Sequence, residues 1–316
     1  MAKFKDRRSA ARGEEKRRAA LIGMQEWDMG LIGQHFDSLR TAVANKIERE
    51  WPARRYPNPG TKSLILGWYK NADNAWAITR FVMADSPRNP ARKAEYALGV
   101  PPLIRTLADT LCSIVFLFGR PPERTNIYFR SGWRELVEDT ERIRTAYGSE
   151  PAWADFIKER DRAITDMRVR VGITPGEAAS PSDIPRWPIP SRMIQHSDPA
   201  IDRRDYLQYI YDWYYKRLSQ HAHLAYVGIA ATPLLLPGPE SEESIRTLEI
   251  ARTEHVMTSL TLMLAIVTEL ELQLKFGYAD RAKYVWAVLA SWDEDPKDFY
   301  RRFYEPILGT ATAAKV

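Results

Sequence analysis

Residues 256–274, VMTSLTLMLAIVTELELQL, decide the fold class of this 316-residue chain. Apolar side chains recur there at alternating steps of four and three residues, a spacing typical of a helix that packs almost parallel to its neighbours. The apolar seam consists of Val256, Leu260, Met263, Val267, Leu270 and Leu274.

Helical periodicity continues on both sides of this seam, whereas alternating β-branched runs bounded by Asn-Gly or Asp-Gly turns are absent from the sequence. Prolines, glycines and capping residues divide the periodic stretches into separate helices. We therefore predict an all-α multi-helix bundle with a long proline-rich loop. The expected helices cover about 10–50, 61–84, 91–118, 126–147, 151–170, 202–231, 241–276, 279–291 and 296–308. Pro101-Pro102 is expected to kink or split the third of these helices, and Asp202 or Asp205 to cap the sixth. The charged helices of 126–147 and 151–170 are expected to form an exposed pair.

The proline-rich loop, residues 172–200, contains six prolines with glycine and serine between them. Such a loop could link two domains or lie over the surface of one. Trp187, Ile189 and Met193 favour a loop that packs. The predicted organisation is a basic arm (1–24), a helical half (25–171), the loop, a second helical half (201–309) in the same domain, and a tail (310–316).

The net charge of +5 arises in the first 20 residues, which hold eight Lys or Arg and three Asp or Glu. The remainder of the chain carries equal numbers of both signs. A basic arm of this kind suits nucleic acid, RNA included, or anionic lipid. The alternative is a solvated tail without a partner.

Composition also indicates where the protein works. One cysteine, Cys112, lies in an apolar run and cannot build a disulfide framework, which favours a reducing cytoplasm. The best apolar runs, 111–119 and 260–267, are shorter than the 18–20 residues of a bilayer span, so we expect buried core helices and no membrane span.

The stretch Tyr215-Lys216-Arg217-Leu218-Ser219-Gln220-His221-Ala222-His223 concentrates side chains that can do chemistry. On a helix, Tyr215, Ser219 and His223 share one face, and His221 falls on the apolar side. Histidine can transfer protons near neutral pH, and arginine can bind a phosphate with two hydrogen bonds. The alternative is a polar seam that holds packed helices together.

A second polar pair lies on a helix that is otherwise apolar as far as Phe118. Arg105 and Asp109 are one turn apart, and a buried charge needs partners. We predict that Arg105, Asp109, Ser219 and His223 meet in one polar cluster. Such a cluster could be a functional site or a network that fixes the core.

Both stretches resemble a bacterial all-α family classed as a domain of unknown function. Its helices carry Tyr-Arg-x-Leu-Ser-x-x-x-His and Arg-Thr-Leu-x-Glu, and this chain has Tyr215 to His223 and Arg105-Thr106-Leu107-Ala108-Asp109 in the same order. Lys216 replaces the usual arginine, and Asp109 replaces glutamate. The resemblance covers about residues 60–310 and implies a neighbourhood of mobile elements and defence genes, but no activity.

The spacing of Arg217 and His223 also resembles the HEPN ribonucleases, in which an arginine precedes a histidine by four to six intervening residues, usually across a dimer. A polar residue normally follows the arginine in that family, whereas this chain has Leu218. The resemblance implies RNA cleavage without a metal ion. It would make His223 and Arg217 catalytic, with Ser219, Arg105 and Asp109 in support.

Metal and cofactor sites find little support in the sequence. No His-Glu-x-x-His motif or glycine-rich phosphate loop occurs, and Glu254-His255 is an isolated pair. We therefore expect no cofactor. Five tryptophans are predicted to fill gaps between helices, with base stacking as the alternative: Trp68, Trp76, Trp213, Trp286 and Trp292.

Two hypotheses follow from these patterns. The first is a cytoplasmic bacterial effector of a phage-defence or toxin–antitoxin type that cleaves or binds RNA. The second is a non-enzymatic helical scaffold or effector-binding protein. In that case the polar cluster is structural, and the seam of 256–274 mediates a homodimer.

Overall fold

The structure is a computed structural model that describes residues 31–83, 99–222 and 242–310. These ranges contain helices and no strand, which confirms the predicted all-α bundle. The helices are α1 (Leu31–Arg49), α2 (Pro59–Met83), α3 (Pro101–Gly119), α4 (Pro121–Tyr147), α5 (Ala154–Arg170), α6 (Pro175–Ala179), α7 (Pro190–Gln195), α8 (Arg204–Ile210), α9 (Lys216–Ala222), α10 (Glu242–Leu274), α11 (Ala279–Trp292), α12 (Glu294–Phe303) and α13 (Glu305–Leu308).

Prolines mark the first turns of α3 and α4. Pro101 and Pro102 begin α3, at the place where they were expected to kink or split the helix of 91–118, and Pro121 begins α4 five residues before its predicted start. A proline is tolerated there because the first N–H groups of a helix have no intrahelical acceptor. The helix predicted to begin near residue 91 lies partly outside the described residues.

Helices α3 and α10 form the centre of the bundle and pack against each other and against α2. Every residue from 259 to 271 is buried, and so is each residue of the predicted seam. The seam therefore contacts other helices of the same chain. The predicted homodimer would need a different surface.

The same two helices are apolar and long enough to cross a membrane, at Pro101–Gly119 and Ile250–Leu274. The uninterrupted apolar runs of the sequence are shorter than these two helices, because isolated polar residues interrupt the apolar pattern. However, 61% and 83% of these windows are buried inside the bundle. Burial in a core accounts for their composition.

Helices α4 and α5 form a hairpin whose second helix contains no buried residue, in keeping with the prediction of an exposed pair. Only the inner side of the hairpin is covered. A small second core forms there from Trp133, Ile173 and Ile184. The main core is separate and combines residues from both halves of the chain.

The proline-rich segment is not one continuous loop, because it contains the short helices α6 and α7. Trp187 packs edge-on against Tyr128 at 5.2 Å, and Met193 is buried, so the expected packing is confirmed for both. The expectation for Ile189 is wrong, since 61% of that residue is exposed. Ile189 lies in a segment without regular secondary structure, where no periodic pattern in the sequence indicates the direction of a side chain.

A buried ion pair fixes the start of α8. The two guanidinium nitrogens Nη1 and Nη2 of Arg124 donate to the two carboxylate oxygens of Asp202 at 2.6 and 2.7 Å. Sequence reasoning had offered Asp202 as a helix cap, which is wrong. Gly119 permits this approach, because a Cβ there would lie 2.0 Å from Asp202 Oδ1.

Candidate functional site

The candidate site is organised by an irregular turn in the helix that carries the stretch 215–223. Between α8 and α9, residues Tyr211–Tyr215 form one π-helical turn. Buried residues before the turn and within it are five positions apart, Tyr209 and Tyr214 in one case and Ile210 and Tyr215 in the other. The extra residue in the turn changes the helical phase, which a uniform 100° per residue could not predict.

The π-turn brings Tyr215 against α3. Arg105 Nη2 donates a hydrogen bond of 2.7 Å to the Tyr215 hydroxyl, and the Arg105 guanidinium carbon lies 4.9 Å from the centre of the Tyr215 ring. Arg105 Nε is 3.6 Å from Asp109 Oδ2. The predicted pairing of Arg105 with Asp109 is therefore confirmed, and Tyr215 is the residue that the structure adds to it.

The environment of Asp109 changes its proton affinity. Burial raises the pKa of its carboxyl group to about 6, and the opposing effect of Arg105 only partly offsets this. Even so, 43% of the Asp109 side chain is exposed, against 22% for Arg105. A carboxyl group that is accessible and changes charge near neutral pH can serve as an acid or a base.

The neighbouring hydroxyl and thiol stay neutral. Burial raises the pKa of Tyr215, and Asp109 adds to the rise while Arg105 opposes it. Burial, followed by Asp109, also raises the pKa of the Cys112 thiol. Cys112 is thus an inert core residue, and the Tyr215 hydroxyl keeps its proton.

Arg217 does not join this cluster. It is exposed on α9, and its charge acts on Tyr214, the neighbour of Tyr215. Tyr214 packs on the other side of the helix, with its ring centre 6.0 Å from that of Phe299 on α12. The adjacent residues Tyr214 and Tyr215 thus pack in different directions, toward α12 and toward α3, and Arg217 does not share the surface of Arg105.

Ser219 is half-buried on α9, which packs against α3. Within the described ranges, no hydrogen bond joins Ser219 to Arg105 or Asp109. His223 lies outside the described residues, as does the basic arm of residues 1–24. The four-residue cluster predicted from the sequence is therefore seen for Arg105 and Asp109 alone.

Sequence reasoning gave Tyr215 no partner, although it placed this tyrosine on the same helix face as Ser219 and His223. The available signal was the arginine at position 105, which needs a polar neighbour from another helix. Trp213 was also misjudged: it is 52% exposed, whereas Trp76 and Trp286 fill the core as predicted. In the part of the chain that the structure describes, no group of three or more metal-ligating side chains occurs.

No family model, curated protein or solved structure matches this chain. Arg105, Asp109 and Tyr215 form the candidate site, which we call the Arg105 cluster.

Proposed function

We propose that this chain binds RNA and cleaves it without a metal ion, and that the Arg105 cluster takes part in the proton transfer. One observation carries the proposal: the half-exposed carboxyl group of Asp109 has a pKa raised to about 6 and lies beside a guanidinium group. Proton acceptor and phosphate binder are two of the functions that metal-independent RNA cleavage requires.

In the proposed reaction, the 2′-hydroxyl of a ribose loses its proton to ionised Asp109 and attacks the adjacent phosphorus. The bond from phosphorus to the 5′-oxygen breaks, which leaves a 2′,3′-cyclic phosphate. The leaving oxygen takes a proton from a general acid, a role that we propose for His223. No metal, oxidant or further reactant enters this step.

Arg105 would stabilise the charge that develops on the phosphate. A guanidinium group has five N–H donors, so it can hold the Tyr215 hydroxyl and a phosphate oxygen together. Tyr215 restricts the orientation of that group through the hydrogen bond of 2.7 Å. Arg217, exposed on the other side of α9, would contribute to RNA binding and would reach a cleavage site only across a dimer.

The biological context of the proposal comes from the family resemblances. They support a cytoplasmic bacterial effector in phage defence or in a toxin–antitoxin pair. The excess positive charge of residues 1–20 supports an additional RNA contact there.

A second candidate function is a non-enzymatic scaffold or effector-binding protein. The hydrogen bond from Arg105 to Tyr215 favours it, because this bond joins α3 to the π-turn across 110 positions of sequence. Polar contacts of this type can fix the packing of a core without any chemistry.

Incubation of the purified chain with RNA in the presence of a chelator separates the two candidates. The ribonuclease proposal expects cleavage by the native chain and a loss of 10² to 10⁴ fold, on the order of a missing general base, in Asp109→Asn. Asp166→Asn is the matched control, since Asp166 is exposed on α5, away from the cluster. His223→Ala should lose cleavage with its circular dichroism spectrum unchanged.

The scaffold candidate expects the opposite pattern. The native chain would then leave RNA intact under all conditions, and His223→Ala would lose thermal stability with no activity to lose. Cleavage that persists in Asp109→Asn at the native rate would remove Asp109 from the mechanism.

A further inference from the structure

The π-turn has a second consequence, which concerns the opposite side of the helix. Tyr214 and Tyr215 are buried, five positions after the buried residues 209 and 210. In the same turn, Asp212 and Trp213 are exposed to solvent. Isolated π-turns are rare and occur frequently at functional sites. An indole ring exposed over half of its surface at such a turn is therefore a candidate for ligand contact.

The Trp213 ring is supported from beneath. Its centre lies 5.8 Å from that of Tyr209, and the two planes meet at 31°. Tyr209 itself is buried and packs edge-on against Phe303 at 5.1 Å. The exposed indole thus rests on a ring that belongs to the core, which limits its motion.

Exposed charged groups of both signs lie near this aromatic pair. Lys216 and Arg217 follow Trp213 in the chain and are exposed as it is, and the Arg302 guanidinium carbon lies 5.4 Å from the Tyr209 ring centre. Acidic groups are present as well: Asp295 and Asp298 on α12 act on Tyr209, and Asp212 accepts a hydrogen bond of 2.7 Å from Gln208.

We propose that Trp213 is a stacking position for an unpaired base of single-stranded RNA, with Lys216 and Arg302 beside the flanking phosphates. This inference rests on the proposed function for its choice of RNA as the ligand. An aromatic face accepts any base, and cations along the strand supply affinity without sequence preference. Bases inside a duplex are stacked on each other and cannot use such a position.

The test is a binding measurement that is independent of cleavage. A labelled 2′-O-methyl oligoadenylate of about 12 nucleotides matches the length that single-strand sites cover, and it lacks the attacking hydroxyl. Its affinity is measured by fluorescence anisotropy, next to an oligomer of equal length whose central positions are abasic. Trp213→Ala should lose about tenfold in affinity for the first oligomer and nothing for the second.

Three variants sharpen the result. Trp213→Phe should keep most of the affinity, because phenylalanine retains a stacking face. Phe156→Ala removes another exposed aromatic side chain, on α5, and should bind as the native chain does. Lys216→Ala should weaken both oligomers equally and lower the salt dependence of binding by about one counterion.

Equal affinity of Trp213→Ala and the native chain for oligoadenylate overturns the inference, and the exposed ring then belongs to a different kind of surface. A native chain that binds neither oligomer overturns it as well. If the native chain binds through Trp213 but cleaves no RNA, this inference stands and the proposed catalysis fails. If RNA is cleaved and Trp213 makes no difference, the proposed function stands alone.

Discussion

Two arginine–aspartate pairs in this molecule differ in the pKa of the aspartate, which is lowered for Asp202 and raised for Asp109. Arg124 and Asp202 are 6% and 1% exposed and form two parallel hydrogen bonds. Arg105 and Asp109 are partly exposed and approach only to 3.6 Å. Burial works to raise the pKa of Asp202, but hydrogen bonds from Arg124 and the Asp198 backbone outweigh it, so that pKa is lowered.

The contrast with Asp109, whose pKa is raised to about 6, shows that hydrogen-bond geometry decides the charge state more than the identity of the partner does. Asp202 remains ionised and acts as a structural anchor. Among the described residues, no hydrogen bond to the Asp109 carboxyl group is found, and this group can exchange its proton near neutral pH.

Removal of Arg124 should destabilise the fold most. Arg124→Ala leaves the buried Asp202 carboxylate without its main partner, which costs about 3–5 kcal/mol in the free energy of unfolding. The measurement is urea denaturation followed by circular dichroism. Arg120→Ala provides the control, because the pair of Arg120 with Asp198 is exposed and should contribute at most about 1 kcal/mol. Equal losses in both variants would refute the structural role of the buried pair.

Removal of the Tyr215 hydroxyl should have an intermediate effect. Tyr215→Phe loses the hydrogen bond from Arg105 but keeps the ring beneath the guanidinium, so we expect a loss of about 1.5 kcal/mol in unfolding free energy. Tyr211→Phe is the matched control, since Tyr211 stacks on Tyr215 at 5.6 Å. Should the two variants show the same stability, the bond between Arg105 and Tyr215 contributes nothing to the fold.

Substitution of Asp109 should have the smallest effect on stability, with a sign that depends on pH. The folded chain holds the Asp109 proton up to about pH 6, whereas an unfolded chain releases it near 3.8. The stability that the protonated Asp109 carboxyl group contributes is therefore present in full below the unfolded pKa and is lost as the pH rises through about 6.

Asp109→Asn cannot ionise and should avoid that loss. Its free energy of unfolding should exceed that of the native chain by about 1 kcal/mol above pH 6, a value that allows for solvent screening of the exposed carboxyl group. Near pH 4 the two free energies should be equal. Thermal melts of both proteins across this range give the comparison. A variant less stable than the native chain at neutral pH would mean that Asp109 is a structural ion-pair partner like Asp202.

Much of the fold could be predicted from the sequence because the deciding signals are local. The seam of 256–274 marks a core helix, and Arg105 and Asp109 are one turn apart. Each of these features depends on residues within a few positions of one another.

The rest depends on contacts between distant residues or on departures from regular geometry. Asp202 could not be assigned to Arg124, 78 positions away, and it looked like a helix cap instead. The π-turn shifts the helical phase after Ile210, which buries Tyr215 and exposes Trp213. A periodicity of 3.6 residues contains no information about such an insertion.

The most direct test of the account is the titration of the Asp109 carboxyl group by carboxyl-carbon NMR, with its resonance assigned as the one missing from Asp109→Asn. We predict a midpoint near pH 6 for Asp109 and a lowered midpoint for Asp202. A midpoint for Asp109 at or below the ordinary value for aspartate would contradict the claim that the Arg105 cluster holds a proton-transferring group.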